Sequence, residues 1–225
     1  ENLVLTPAVR SKAERGYQLH NRIPPQPVKA TKSSISPDMS PLEAFRHIAL
    51  ACLEHLQQNY HGALHIEDPE YIHQMRVAMR RLRAALRIFS PLLPAIFISV
   101  LKDAFTPLMV QLGQVRDLDV LYAEITAPAV AAITKQPHNK NQSLLVSLLS
   151  AINQQRQRAR QQAMALLDSP TYGHAVLTAL QALHQQETSA STNTPKLSRF
   201  AAKRLRSTSK NVSRRIRSLD YENST

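Results

Sequence analysis

The chain has 225 residues, 43% of them hydrophobic and 20% charged, which is enough apolar material for a core and excludes a disordered polyelectrolyte. Twenty-eight Lys and Arg against 16 Asp and Glu give a formal charge of +12 and a pI near 10.3, a field that attracts nucleic acid, anionic membrane or polyanionic solutes without choosing among them. Aromatic residues make up only 5%, with no Trp, so the stacking platforms of single-strand binders are scarce.

Residues 1–23 mix short apolar alternation with Gly16 and run into Pro24-Pro25, which predicts a strand-like, non-helical tail. Residues 24–40 are rich in Pro, Ser, Thr and Lys and read as an extended linker with little to bury. A domain then fills 41–225. Asp38 or Ser40 serves as N-cap, Pro41 sits in the first turn, and Leu42 to Tyr60 carries helical apolar spacing. Cys52 falls in that apolar stretch as a packing thiol; a lone cysteine forms no internal disulfide and fits a reducing cytoplasm. Asp68-Pro69-Glu70 repeats the start signal for a basic helix that ends near Ser90, stopped by Pro91 and Pro94. Ala95 to Leu112 and Val115 to Ile133 read as two helices hinged near Gly113, followed by helices over Asn141 to Leu167 and Tyr172 to Gln186. Glu187 to Thr194 is a polar loop, and a last helix runs from about Lys196 to Leu219. No stretch after residue 40 argues for a strand, so the class is all-α. The best apolar run, Leu92 to Val100, is short and broken by Pro94, and no signal sequence opens the chain. Neither export nor membrane spanning is expected. A start at Glu1 rather than Met suggests a fragment.

The basic helix carries His73, Arg76, Arg80, Arg83 and Arg87 at offsets 0, 3, 7, 10 and 14. At about 100° per residue these five side chains share a stripe roughly 80° wide, with Met75, Met79, Leu82, Leu86 and Phe89 opposite. One side is core and the other is a row of cationic donors. Five such groups along about 21 Å of helix repel one another, and an anion relieves that repulsion. The last helix repeats the design: Arg199, Lys203, Arg206, Lys210, Arg214 and Arg217 share a stripe, with Ala201, Leu205, Val212 and Leu219 opposite. An ordinary solvated face mixes signs, whereas neither stripe contains an acid. Arginine's planar fork donates two parallel hydrogen bonds and stays charged, which makes phosphate the natural ligand. A phosphate beside His73 favours its protonated form and adds a donor near neutral pH.

In Gly113-Gln114-Val115-Arg116-Asp117-Leu118-Asp119-Val120, Arg116 extends the cationic surface, and one of the two acids is expected to orient an arginine. The alternative is a plain helix start with early acids. Arg156 and Arg160, four apart on a Gln-rich helix, read as solvated. His61 and His65 lie near Glu67 and Asp68, but Gly62 and Asp68-Pro69 favour a loop over a helical metal-ligand pair. With no phosphate-loop or nucleophile-elbow motif and no carboxylate pair placed for acid–base work, no catalytic centre and no metal or other cofactor is expected in this chain.

HQMRVAMRRLRAALRIF followed by LGQVRDLDVL resembles the CHAD family, the conserved-histidine α-helical domain that recognises inorganic polyphosphate. The resemblance implies two related four-helix bundles and assigns His73, Arg76, Arg80, Arg83 and Arg116 to the family's basic cavity. On that frame the first repeat, roughly 41–186, is complete and the second is cut short after the RFAAKRLRSTSKNVSRRIRSL helix. LVLTPAVRSKAERGYQL is similar to the closing stretch of a CYTH domain, the triphosphate-tunnel fold that precedes CHAD in two-domain inorganic triphosphatases, with Lys12 and Arg15 as former tunnel residues. The ExExK motif of that fold is absent, so Mg²⁺ or Mn²⁺ chemistry is expected only of a full-length parent.

The leading expectation is therefore a cytoplasmic polyphosphate-binding module, located at polyphosphate granules, that uses His73, Arg76, Arg80, Arg83, Arg87, Arg116, Arg199, Lys203, Arg206, Lys210 and Arg214 and involves no membrane. One alternative is the accessory C-terminal region of an inorganic triphosphatase. The other is a non-specific nucleic-acid binder, for which nucleic acid competes with polyphosphate.

Overall fold

The computed structural model describes residues 7–8, 11–22, 24–134, 142–185 and 196–222, and its elements are all helical. Residues 1–6 and the 187–194 segment, expected as part of a strand-like tail and as a polar loop, lie outside the described residues. The helices are α1 (Lys12–His20), α2 (Pro41–His65), α3 (Pro69–Phe89), α4 (Ala95–Val120), α5 (Ala127–Thr134), α6 (Gln142–Leu167), α7 (Pro170–Gln185) and α8 (Leu197–Glu222). A single 3₁₀ turn, Ser90–Leu92, follows α3, and a π-helical turn, Leu121–Thr126, joins α4 to α5.

The expected non-helical tail is corrected by α1. Ser11 and Glu14 form a reciprocal capping box: Ser11 Oγ accepts from the Glu14 N–H at 3.1 Å, and Glu14 Oε2 accepts from the Ser11 N–H at 2.7 Å. Two otherwise orphaned donors are thereby satisfied, and this local arrangement prevails over the weak apolar alternation before it. The same device starts α2, where Ser40 rather than Asp38 is the cap and Glu43 answers it. Asp68 caps α3 through the Glu70 N–H at 2.8 Å.

α2 packs along α3, α3 against α4, and α4 against α6 and α7. The two short connections, 66–68 and 90–94, make α2, α3 and α4 antiparallel neighbours. α2 and α3 lie close together at Gly62, where an added Cβ would collide with the ring of Tyr71. Phe45 tilts on Phe89 at 5.6 Å and meets Phe97 edge-on at 5.9 Å, while Tyr60 stacks on Tyr172 at 4.3 Å to tie α2 to α7. Cys52 is buried there, and burial pushes its thiol up to about 11. It is the packing thiol that its apolar surroundings predict.

Gly113 is not a hinge. α4 runs through it unbroken, and the chain changes its winding only at the π turn, where Thr126 Oγ1 donates to the Leu121 carbonyl at 2.8 Å. The Ala95–Ala132 run is long and apolar enough to cross a membrane by length and composition. In the bundle its apolar side, Phe97, Leu101, Phe105, Leu108, Leu112 and Val115, belongs to the common core.

The linker is not free either. The Val28 N–H donates to Asn59 Oδ1 at 2.9 Å, and its carbonyl accepts from Asn59 Nδ2 and from His55 Nε2, each at 2.9 Å. Arg81 adds a bond to the Thr31 carbonyl at 3.3 Å. Further along, the 37–39 turn holds the root of α8: the Leu197 N–H donates to the Met39 carbonyl at 2.8 Å, the Ser198 N–H to the Pro37 carbonyl at 3.2 Å, and Lys196 pairs with Asp38 at 2.8 Å.

Candidate anion-binding surface

α3 buries Tyr71, Ile72, Met75, Ala78, Met79, Leu82, Ala85, Leu86 and Phe89, which turns the opposite stripe outward. His73 and Arg76 are half-buried, and Arg80, Arg83 and Arg87 are exposed. Among the described residues no carboxylate pairs with His73, Arg80, Arg83 or Arg87. Glu70, one turn before His73, is occupied by Gln74, whose Nε2 donates to it at 2.7 Å. The stripe keeps its positive charge almost undiluted.

The antiparallel α3–α4 pairing adds cations to this ledge. Arg83 and Lys102 both line a depression of about 310 Å³ whose floor includes Met79, Leu82, Leu86, Leu101 and Phe105. Arg76 reaches α4 farther along, lying over Gly113 and standing 3.6 Å from Asp117. Arg116, half-buried, follows three residues after Gly113 on α4. Lys102 has no place in either periodic stripe, because its role depends on a helix 20 residues away in sequence; only the tertiary pairing reveals it.

Both acids of the 116–120 segment orient an arginine, where one was expected. Asp117 takes Arg76, and Asp119 takes Arg156 at 3.5 Å. Arg156 also lies over the Tyr122 ring at 4.7 Å, and Arg160 donates to the Ile66 carbonyl at 2.7 Å. Their expected solvation is thus corrected: α6 packs on α4, and the two arginines fasten its inner edge. Burial raises the Asp119 carboxyl above its ordinary range, outweighing the opposite pull of Arg156, Arg160 and Arg116. Arg156 pairs with Asp119 directly, while Arg160 and Arg116 act on it through their charge.

α8 joins the body at its beginning. Phe200 stacks on Phe89 at 5.3 Å, and Arg204 Nη2 donates to the Arg87 carbonyl at 3.2 Å. From Leu205 to Ile216 every residue of α8 is exposed, including Arg206, Lys210 and Arg214; Arg199 and Lys203 are exposed near the root. The structure therefore joins the root of α8 to the end of α3, through Phe200 and through Arg204 on the Arg87 carbonyl, and leaves the side chains from Leu205 to Ile216 uncovered. The apolar side of α8 is open too, with Leu205 72%, Val212 52% and Ile216 54% exposed. The side chains of Arg217 and Leu219 lie outside the described residues.

His61 and His65 both lie on α2, correcting the expected loop, with their rings 4.4 Å apart. Among the described residues no three His, Cys, Asp or Glu side chains gather as a metal site.

A helical bundle with one cationic ledge is thus the class of domain that the coordinates define. The family model of the CHAD domain matches residues 47–224, and the chain belongs to the CHAD family. It is similar to the crystal structure of the CHAD domain from the plant Ricinus communis, with a TM-score of 0.65 and 30% identity over 79% of this chain and 56% of that one. This chain spans about half the length of that relative. Among curated proteins none matches it.

Proposed function

We propose that the chain binds inorganic polyphosphate along the α3–α4 ledge and the open stripe of α8. The observation that carries this reading is the ledge itself, where His73, Arg80, Arg83 and Arg87 project from one helix with no described acid to neutralise them. A linear phosphate polymer places a charge opposite each guanidinium, and each contact is a charge-assisted hydrogen bond. Repeated weak contacts add as avidity, so a long chain is held while a single orthophosphate is held poorly.

Arg76→Glu combined with Arg80→Glu is expected to abolish retention of long-chain polyphosphate and leave the helical circular-dichroism spectrum unchanged. Retention equal to the parent protein with an intact spectrum refutes the ledge as the binding surface. Competition at equal phosphate concentration separates this reading from general nucleic-acid binding: duplex or single-stranded nucleic acid should fail to displace polyphosphate. Equal displacement would favour a salt-sensitive, non-specific surface.

A further inference from the structure

Arg76 differs from the other arginines of its stripe in two independent respects. Its guanidinium occupies space that exists because residue 113 has no side chain: a Cβ at Gly113 would lie 2.8 Å from Arg76 Nη1. Asp117, one helical turn further along α4, stands 3.6 Å from Nη2. Gly113 is buried inside α4, six residues after Pro107, and its backbone is helical with no positive φ that calls for glycine. A mid-helix glycine costs roughly 0.5–1 kcal/mol relative to alanine, so packing against an arginine is the local reason for it that the structure offers.

We propose that Gly113 is the seat that positions Arg76 on the α4 side of the ledge, and that Asp117 is the built-in anion that occupies Arg76 until a phosphate replaces it. This assignment rests on the polyphosphate reading above and specifies how one of its subsites is made. At 3.6 Å the pair is an ion pair without a short hydrogen bond, and Asp117 is largely exposed, so exchange for phosphate is easy. The clash that alanine brings falls on the far end of a flexible side chain. Gly113→Ala therefore moves the guanidinium off α4 and leaves the fold intact.

The test is a set of five variants titrated with defined-length polyphosphate: Gly113→Ala, Asp117→Asn, Arg76→Gln, and Arg76→Gln combined with each of the first two. Gly113→Ala is expected to weaken binding as much as Arg76→Gln does, with no additional loss in the double variant and with the Tm kept within about 2 °C. Asp117→Asn is expected to tighten binding by about three- to five-fold, an effect that disappears when Arg76 is Gln. In the free protein the Arg76 Nε–H resonance should shift in Gly113→Ala, a readout of the seat that needs no ligand. Unchanged affinity in Gly113→Ala while Arg76→Gln binds weakly overturns the seat, as does an unmoved resonance. Tightening by Asp117→Asn that persists without Arg76 reduces Asp117 to general charge, and weakening contradicts its role as competitor. Failure of the parent protein to bind polyphosphate is a distinct result that defeats the function proposed above, while the resonance still reports on the seat.

Discussion

Two glycines show how a residue acquires meaning from a distant one. Gly62 and Gly113 both stand inside helices, where glycine is a poor choice, and each makes room for a side chain of α3. At Gly62 the neighbour is the ring of Tyr71, 2% exposed and hemmed in by the core, so it has nowhere to go. Gly62→Ala is accordingly expected to destabilise the protein by about 1–3 kcal/mol, despite alanine's better helix propensity. A urea midpoint equal to or above that of the parent would show that Tyr71 swings aside. At Gly113 the neighbour is the tip of an arginine, and stability is expected to hold. Sequence spacing alone suggested a hinge at Gly113 because a glycine's partner in another helix leaves no trace in its own neighbourhood. The same blindness covers Asp119 and Arg156, 37 positions apart, and Lys102 opposite Arg83. By contrast, the α3 stripe was legible, since a period of 3.6 is a property of one segment.

Among the elements, the linker strap on α2 carries a titratable fastening. His55 Nε2 faces two acceptors, the Val28 carbonyl at 2.9 Å and Gln74 Oε1 at 3.1 Å, so the neutral ring carries its proton on Nε2. Nδ1 is buried without a partner, and charging the ring would place an unsatisfied N–H there. The surroundings from the packed elements are Asn59 on α2, Gln74 backed by Glu70 on α3, and the positive Arg81, also on α3. Burial lowers the His55 pKa below its ordinary 6.5; the Val28 and Gln74 bonds oppose this, and Arg81 reinforces it. A histidine lowered in the folded state leaves stability whole above 6.5, and stability is lost as pH falls through the lower folded value. The urea midpoint should therefore fall between about pH 7 and about pH 5 by more in the parent than in His55→Gln, which keeps a donor for Val28 and does not titrate. Parallel pH curves for the two would remove His55 from the response. Prolines and serines announced that the linker is extended, but the pairing of Val28 with Asn59, 31 positions on, was not readable from composition.

For the molecule as a whole, the decisive arrangement is two basic helices joined where the end of α3 meets the root of α8. The α3 ledge is braced by α4, whereas α8 from Leu205 to Ile216 stands with both its charged and its apolar side chains exposed. Helix identity and the charged stripe of α8 followed from its spacing, yet the apolar side was expected to be covered; periodicity says which residues share a face and says nothing about what lies against it. Only a ligand long enough to reach from one stripe to the other gains from both. Lys210→Ser with Arg214→Ser is expected to weaken long-chain polyphosphate several-fold, to leave a short oligomer's affinity unchanged, and to flatten the salt dependence of the long chain. Equal losses for long and short chains would place the short ligand on α8 and overturn this division of labour.

The turn at 37–39 gives the architecture a mechanical character. It ends the strap that comes from the N-terminal segment and also anchors the first residues of α8 through two backbone bonds and the Lys196–Asp38 pair. Load applied between those two arms meets this junction directly, and the Phe200–Phe89 stack on one side and the Val28–Asn59 bonds on the other carry the remainder into α3 and α2.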